Sequence, residues 1–319
     1  MQLAIVVALT SFSLSFLLCA LEIPLLKKLK AGQNILSYVK EHENKGGTPT
    51  MGGLGFVFAA VLSSLAYARL SGADKRFTVA IAVGISYMLV GFLDDLFKKL
   101  RGKNLGLRAY QKILFQFAVA ICACLYCCLN GLTALKIPYT DLCFDLGWWF
   151  LPFGVFVFLG TTNGVNLTDG LDGLAGSVSA AFFLFFGAIL LLQGGGGGLS
   201  ELSFALTGAL CAYLIFNTHR ASVFMGDTGS LALGGFVASL ALFTGNALVI
   251  PVLGITFLLS SISVIIQVIY YKRTKKRVFL MAPIHHHFEE LGYEEGKIVY
   301  AYTVITAFLG CTLLLPLVL

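Results

Sequence analysis

Residues 173–192 read Gly-Leu-Ala-Gly-Ser-Val-Ser-Ala-Ala-Phe-Phe-Leu-Phe-Phe-Gly-Ala-Ile-Leu-Leu-Leu, without one charged side chain. A helix of about 20 such residues crosses the hydrocarbon layer of a bilayer. Only a structure that satisfies its own backbone hydrogen bonds survives there. The stretch is therefore read as a membrane span. Working outward, similar blocks lie at 3–26, 50–68, 77–93, 113–129, 149–162, 202–216, 231–243, 247–271 and 298–318. The whole chain shares this bias: 58% hydrophobic, 12% charged, mean hydropathy +0.87. A soluble chain carries roughly a quarter charged residues. The predicted fold is all-α: one polytopic integral-membrane domain over 1–319 with about ten transmembrane helices. The fifth and eighth spans are short, so their ends lie in the neighbouring loops or one of them is broken. The first starts at Met1 with neither a basic leader nor a small-residue cleavage site after it, and reads as a retained helix.

Charge placement orients the bundle. Of the 22 basic residues, all but Arg69, Lys75, Arg76 and Lys136 fall in the loops 27–49, 94–112, 217–229 and 271–297. With 163–172, these loops form one face, which the positive-inside rule assigns to the cytoplasm. An even number of spans then places both termini on the outer side. The outer loops are chemically plain. Gly194 to Gly198 reads as a flexible connector, and the loop holding Asp141 and Asp145 has room for a small strand pair. Cys122, Cys124, Cys127 and Cys128 share one span and read as small packing residues, since a metal or redox site there would lack partners and access.

The polar chemistry gathers on the basic face. Asp94 and Asp95 close the third span. Adjacent carboxylates repel, so they call for a divalent cation or a role as general base; the plainer alternative is pairing with Lys98 and Lys99 along a helix. The segment from Thr162 to Gly173 contains Asn163, Asn166, Asp169, Gly170 and Asp172. Helix capping explains one of these, whereas glycine turns with Asn and Asp also suit a sugar or base edge. Asp227 sits in the turn Gly226-Asp-Thr-Gly229 at a helix start, where backbone N–H groups favour phosphate and a carboxylate holds Mg²⁺ against it; a simple N-cap is the alternative. Phe224 beside it suits either a nucleobase or lipid. His285, His286 and His287 are consecutive, which is poor zinc spacing, and fit better as donors to a diphosphate. Lys45 precedes the glycine turn that holds Thr50, and Lys98, Lys99, Arg101, Lys103, Arg108 and Lys112 crowd one loop, where some meet anionic headgroups. Metal-binding acids, phosphate-binding turns and cations make a set suited to phosphoryl transfer, which relies on positioning and charge stabilisation.

Five strings in order, Gly47-Thr-Pro-Thr-Met-Gly-Gly53, Asp94-Asp95, Asn163-Gly-Val-Asn-Leu-Thr-Asp-Gly-Leu-Asp-Gly173, Phe224-Met-Gly-Asp-Thr-Gly-Ser230 and His285-His-His-Phe-Glu289, carry a resemblance over essentially the whole chain. The chain resembles the phospho-N-acetylmuramoyl-pentapeptide transferases, the lipid I synthases of the polyprenyl-phosphate N-acetylhexosamine-1-phosphate transferase superfamily. The resemblance implies a bacterial cytoplasmic-membrane enzyme with its active site facing the cytoplasm. It implies transfer from UDP-MurNAc-pentapeptide to undecaprenyl phosphate with Mg²⁺ as cofactor, giving lipid I and UMP. A homodimer among membrane lipid, with no nucleic acid partner, also follows from it. By the same likeness, Asp227 ligates Mg²⁺, and Asp94 and Asp95 lie beside the lipid phosphate. Lys45, Thr50, Lys103, Asn163, Asn166, Asp169, Gly170, Asp172, Asn217, Phe224, Gln267, His285, His286 and His287 bind substrate. The long ninth helix of the family is kinked, and Pro251 and Gly254 are the candidate kink points here. The histidine string separates this branch from relatives that use UDP-GlcNAc. A transporter, the rival from another class, would place ionisable residues at span centres within an internal repeat, and neither is visible.

Overall fold

The computed structural model describes residues 1–29, 47–101, 106–140, 142–218 and 220–318. Its elements are α1 (Gln2–Lys28), α2 (Gly53–Ala66), α3 (Lys75–Arg101), α4 (Ala109–Leu129), β1 (Ala134–Lys136), β2 (Cys143–Asp145), α5 (Phe150–Thr168), α6 (Leu174–Leu192), α7 (Leu199–Asn217), α8 (Gly226–Phe243), α9 (Ile250–Leu253), α10 (Ile255–Thr274), α11 (Ile284–Glu290) and α12 (Glu295–Val318). Among the described residues, nine helices are long and apolar enough to cross a membrane, and α2 is a shorter apolar helix of 14 residues. The fold is an all-α polytopic membrane bundle.

Helix α8 is its axis. Every residue from Thr228 to Phe243 is buried, and the helix packs on α3, α5 and α2. Lipid tails are as apolar as leucine, so membrane helices associate through close packing and hydrogen bonds. Gly91 of α3 supplies the close approach: a Cβ there would lie 2.0 Å from the Asp227 carbonyl oxygen. Serine supplies the hydrogen bonds between α1 and α7, where Ser11 and Ser15 donate to the carbonyls of Ala205 and Ala209 at 2.7 and 2.8 Å. The outer faces of α1, α4, α10 and α12 present Leu17, Leu114, Ile265 and Phe308 outward, as lipid-facing helices do.

Several sequence-based boundaries move. The fifth and eighth spans are full-length helices of 19 and 18 residues, so their ends do lie in the supposed loops. Asn163 and Asn166 therefore sit inside α5, and the loop expected at 163–172 shrinks to its last few residues. Likewise α3 runs on through Asp94 and Asp95 to Arg101, and the loop expected to run to 229 ends where α8 begins. These polar residues stay helical because they face other helices rather than lipid. The ninth span is broken at Gly254, which separates α9 from α10, with Pro251 in the first turn of α9. The expected strand pair exists, with Ala134 opposite Asp145. Cys124 and Cys127 are buried free thiols within the packing.

The glycine run is not a free connector. Gly194 to Gly198 all have positive φ, from 61° to 98°, a conformation that only glycine adopts without penalty. The Asp74 amide donates to the Gly197 carbonyl at 3.1 Å, and a Cβ on Gly197 would meet the Asp74 carboxylate at 2.2 Å. The run is a built turn that docks the α6–α7 connection on the start of α3.

Candidate active site

The third and eighth helices bring three carboxylates together. Asp94 and Asp95 come from the last turns of α3, and Asp227 from the first turn of α8; one oxygen of each lies within 4.8 Å of the others. The backbone permits this at Gly226, whose φ is +67°. A side chain there would lie 2.4 Å from Asp95 Oδ2 and 2.5 Å from Thr50 Oγ1. Thr50 thus stands at the rim of the cluster. Asp95 is locked by the Thr228 amide and hydroxyl, which donate to its Oδ2 at 2.9 and 2.7 Å. Asp94 accepts from the Leu107 amide at 2.7 Å.

Two lysines offset part of the cluster's charge. Lys98 Nζ lies 2.7 Å from Asp94, 3.6 Å from Asp95 and 2.9 Å from Asp227. Lys112 Nζ, from α4, lies 2.8 Å from the same Asp227 oxygen and donates to Asn166 Oδ1 at 3.2 Å. Asn166 completes the ring by donating from Nδ2 to Asp227 Oδ1 at 2.7 Å and to Ser230 at 2.8 Å. Asp94 does pair with Lys98 four residues on, as the plainer sequence reading held. The same ammonium also reaches Asp227, so pairing and site-building coincide. Sequence reasoning paired Lys98 with the acids of its own helix but missed its contact with Asp227, and counted Lys112 only among a basic crowd. The signal for the first pairing was spacing: Lys98 is four residues after Asp94, on one helix face.

A second group adjoins it. Asp169 caps α5. Burial, with the negative Asp227, Asp95 and Asp172 nearby, pushes its carboxyl well above the usual carboxylate range. Gly170 touches α11, since a Cβ there would lie 2.3 Å from His285 Nε2 and 2.8 Å from His286 Nε2. Burial and the neighbouring His286 push the His285 ring down to about 3, so it is neutral; both of its nitrogens are buried without a hydrogen-bond partner among the described residues. His286 Nδ1 lies 2.8 Å from Glu289, and His287 Nδ1 accepts from the Leu280 amide. His285 and His286 thus both face Gly170, their ring centroids 4.4 Å apart, while His287 turns to Leu280; no metal-binding group among the described residues includes the three.

The remaining expected residues hold backbone. Asp172 accepts from the Ala221 amide at 3.0 Å, while its own amide donates to Glu295. Asn217 accepts from the Gly173 amide at 3.1 Å and donates to the Val223 carbonyl at 2.9 Å. Phe224 is half-buried, and its backbone pairs with Pro49 and Gly52. Asn163 donates to Gln116 of α4 at 2.8 Å. Gln267 binds the backbone of residues 278 and 279. Lys45 and Lys103, with His219, lie outside the described residues.

The donor set suits a hard divalent cation: three carboxylates, oxygen only. The Lys98 ammonium lying among all three demonstrates that the geometry accommodates positive charge. Comparison with known proteins follows the same line. The family model described as glycosyl transferase family 4 matches residues 77–245, the stretch that carries Asp94, Asp95, Asn166, Asp169 and Asp227. A phospho-N-acetylmuramoyl-pentapeptide-transferase of Caldanaerobacter subterraneus is 44% identical over 309 residues, covering 96% of each chain. One from Shouchella clausii is 44% identical, covering 94% of this chain and 93% of its own. One from Bacillus subtilis is 39% identical, covering 97% of each. Likeness at this level extends over nearly the whole length of each chain, and the chain belongs to the phospho-N-acetylmuramoyl-pentapeptide-transferase family.

Proposed function

We propose that the protein transfers phospho-MurNAc-pentapeptide from UDP-MurNAc-pentapeptide to undecaprenyl phosphate, yielding lipid I and UMP for peptidoglycan synthesis. The observation that carries this reading is the cluster of Asp94, Asp95 and Asp227 bridged by Lys98, with Lys112 on Asp227. It is a mixed cradle of three carboxylates and two ammonium groups, of the kind phosphoryl transfer requires. Asp227 would hold Mg²⁺, with Asp94 and Asp95 in reach; when bound, the ion offsets charge on the diphosphate. An oxygen of the lipid phosphate attacks the β-phosphorus, the bond from that phosphorus to the bridging oxygen breaks, and UMP departs with the electron pair. Asp94 takes up any proton left on the attacking phosphate. Lys98 and Lys112 stabilise the charge that builds on the phosphoryl oxygens. Thr50, Asn166, Asp169, Phe224 and His286 border the space where the nucleotide-sugar lies. Direct attack is favoured over a covalent phospho-aspartate because a phosphate monoester is already ionised near neutral pH and needs little activation.

The concentration of basic residues in the loops of this face supports a cytoplasmic setting for it. The setting is then the bacterial cytoplasmic membrane, with both termini outside and a homodimer as the assembled form. The test is UMP release by purified protein with undecaprenyl phosphate and Mg²⁺, with UDP-MurNAc-pentapeptide and UDP-GlcNAc compared side by side. Release from the muramoyl substrate alone, abolished by EDTA, is expected. Release from UDP-GlcNAc alone would move the activity to the sister branch and overturn the reading of the histidines.

A further inference from the structure

The lower half of α10 stands clear of the bundle. Its buried residues are Thr256, Phe257, Ser260 and Ser263, all in the first half, while Ile265, Ile266, Val268, Ile269, Tyr270 and Tyr271 are exposed. The segment that follows leads to α11, and polar contacts hold it to this half of α10. Gln267 Oε1 accepts from the amides of Val278 and Phe279, both at 3.0 Å, and Gln267 Nε2 donates to the Phe279 carbonyl at 3.1 Å. One turn earlier on the same helix face, Ser263 Oγ accepts from the Ile284 amide at 3.0 Å while donating to the Ser260 carbonyl at 2.8 Å. His287 closes the segment from the other side by accepting from the Leu280 amide at 3.2 Å. The two ends of residues 278–284 are thereby pinned to one face of α10.

An amide oxygen has two lone pairs, and both of those on Gln267 are used. We infer that Gln267 and Ser263 are positioning residues. They staple the 278–284 segment to α10, and through it set α11, with His285 and His286, against the turn at Gly170. The family likeness places Gln267 at the nucleotide-sugar; here its effect on that substrate runs through the loop it holds. This inference rests on the transferase reading for its kinetic consequence, and on geometry alone for the staple.

The test has two arms. The first needs no substrate. Hydrogen exchange on the full-length protein in detergent is followed in Gln267→Ala, Gln267→Glu and Ser263→Ala. Gln267→Ala should speed exchange at Val278 and Phe279 by about tenfold or more, and Ser263→Ala should do so at Ile284, with α8 unchanged. Gln267→Glu keeps the acceptor oxygens and should fall between Ala and native. Native-like exchange at Val278 and Phe279 in Gln267→Ala overturns the staple. The second arm measures UMP release. Gln267→Ala should raise KM for the nucleotide-sugar about tenfold and leave kcat within about threefold, with Gln267→Glu restoring much of the loss. The double variant Ser263→Ala/Gln267→Ala should lose less than the product of the single losses, because both release one segment. Fully multiplicative losses, or an unchanged KM despite faster exchange, overturn the positioning role. Native protein that turns over no muramoyl substrate refutes the transferase reading and leaves the exchange arm to decide the staple.

Discussion

Replacing Lys112 by methionine keeps most of the side chain's length and removes its charge. The ammonium lies 2.8 Å from Asp227 Oδ2, and both side chains are largely buried, at 17% and 13% exposure. At an effective dielectric of about 20, the direct attraction at that distance is about 6 kcal/mol. Desolvation of the two charges offsets much of this, and removing one partner of a buried pair costs about 3–5 kcal/mol. Here Lys98 remains 2.9 Å from the same oxygen, which lowers the expected loss to about 2–3 kcal/mol. The charge that Lys112 would offer the phosphoryl oxygens is of similar size, and losing about 2–3 kcal/mol of it in the transition state is expected to lower kcat/KM by about 30- to 150-fold. The assay is UMP release at saturating Mg²⁺, with the variant's folding checked by its elution profile and thermal midpoint. Lys112→Arg, which retains the charge, should fall between. A methionine variant within threefold of native kcat/KM would refute the assignment of Lys112 to the reacting centre.

Other consequences are equally direct. Asp227→Asn should abolish UMP release, by about a thousandfold or more, while the protein still extracts and elutes as a folded species, because only one charge in the cluster changes; substantial residual turnover would show that the carboxylate is dispensable. Asp169→Asn should raise the thermal midpoint relative to native at about pH 8 and show little difference near pH 4. The sign follows from the raised carboxyl: its contribution to stability is complete below the ordinary carboxylate value and is lost as pH rises towards the folded value. A gap that narrows with rising pH would contradict that origin. Gly91→Ala should lower the thermal midpoint and the activity together, because the new methyl meets backbone atoms of Asp227 that cannot rotate away, an overpacking cost of about 1–3 kcal/mol or more. A variant with native stability would mean that α3 and α8 can separate freely.

The helical class was legible because lipid imposes length and apolarity on each span. Helix ends were less so. A polar residue marks the membrane edge only on a lipid-facing helix, and Asn163 and Asn166 face Gln116 and Asp227 inside the bundle. The aspartates were legible from their company on one face of the membrane. Lys98 was legible as a partner of Asp94 by its spacing, but Lys112 was not, because it is separated from Asp227 by 115 residues of sequence and only packing brings them together. The glycine run misled for a different reason. Composition reports how many conformations a glycine can adopt, whereas the contact with Asp74 decides which one it keeps.

The central position of α8 has a consequence for biosynthesis. This helix is the last of the four in its neighbourhood to emerge from the ribosome, after α2, α3 and α5. It is also among the least apolar of the spans, with mean hydropathy 1.3 against 2.3 for α1. Nascent chains fold from the N-terminus as they are made, so for a time the earlier helices stand around a gap with their inward faces unpartnered. A chain truncated before residue 226 therefore inserts helices but cannot close the bundle. Asp227, the proposed metal-binding carboxylate, arrives on the same element that completes the packing, so chains that stall early lack that carboxylate and the closed bundle together.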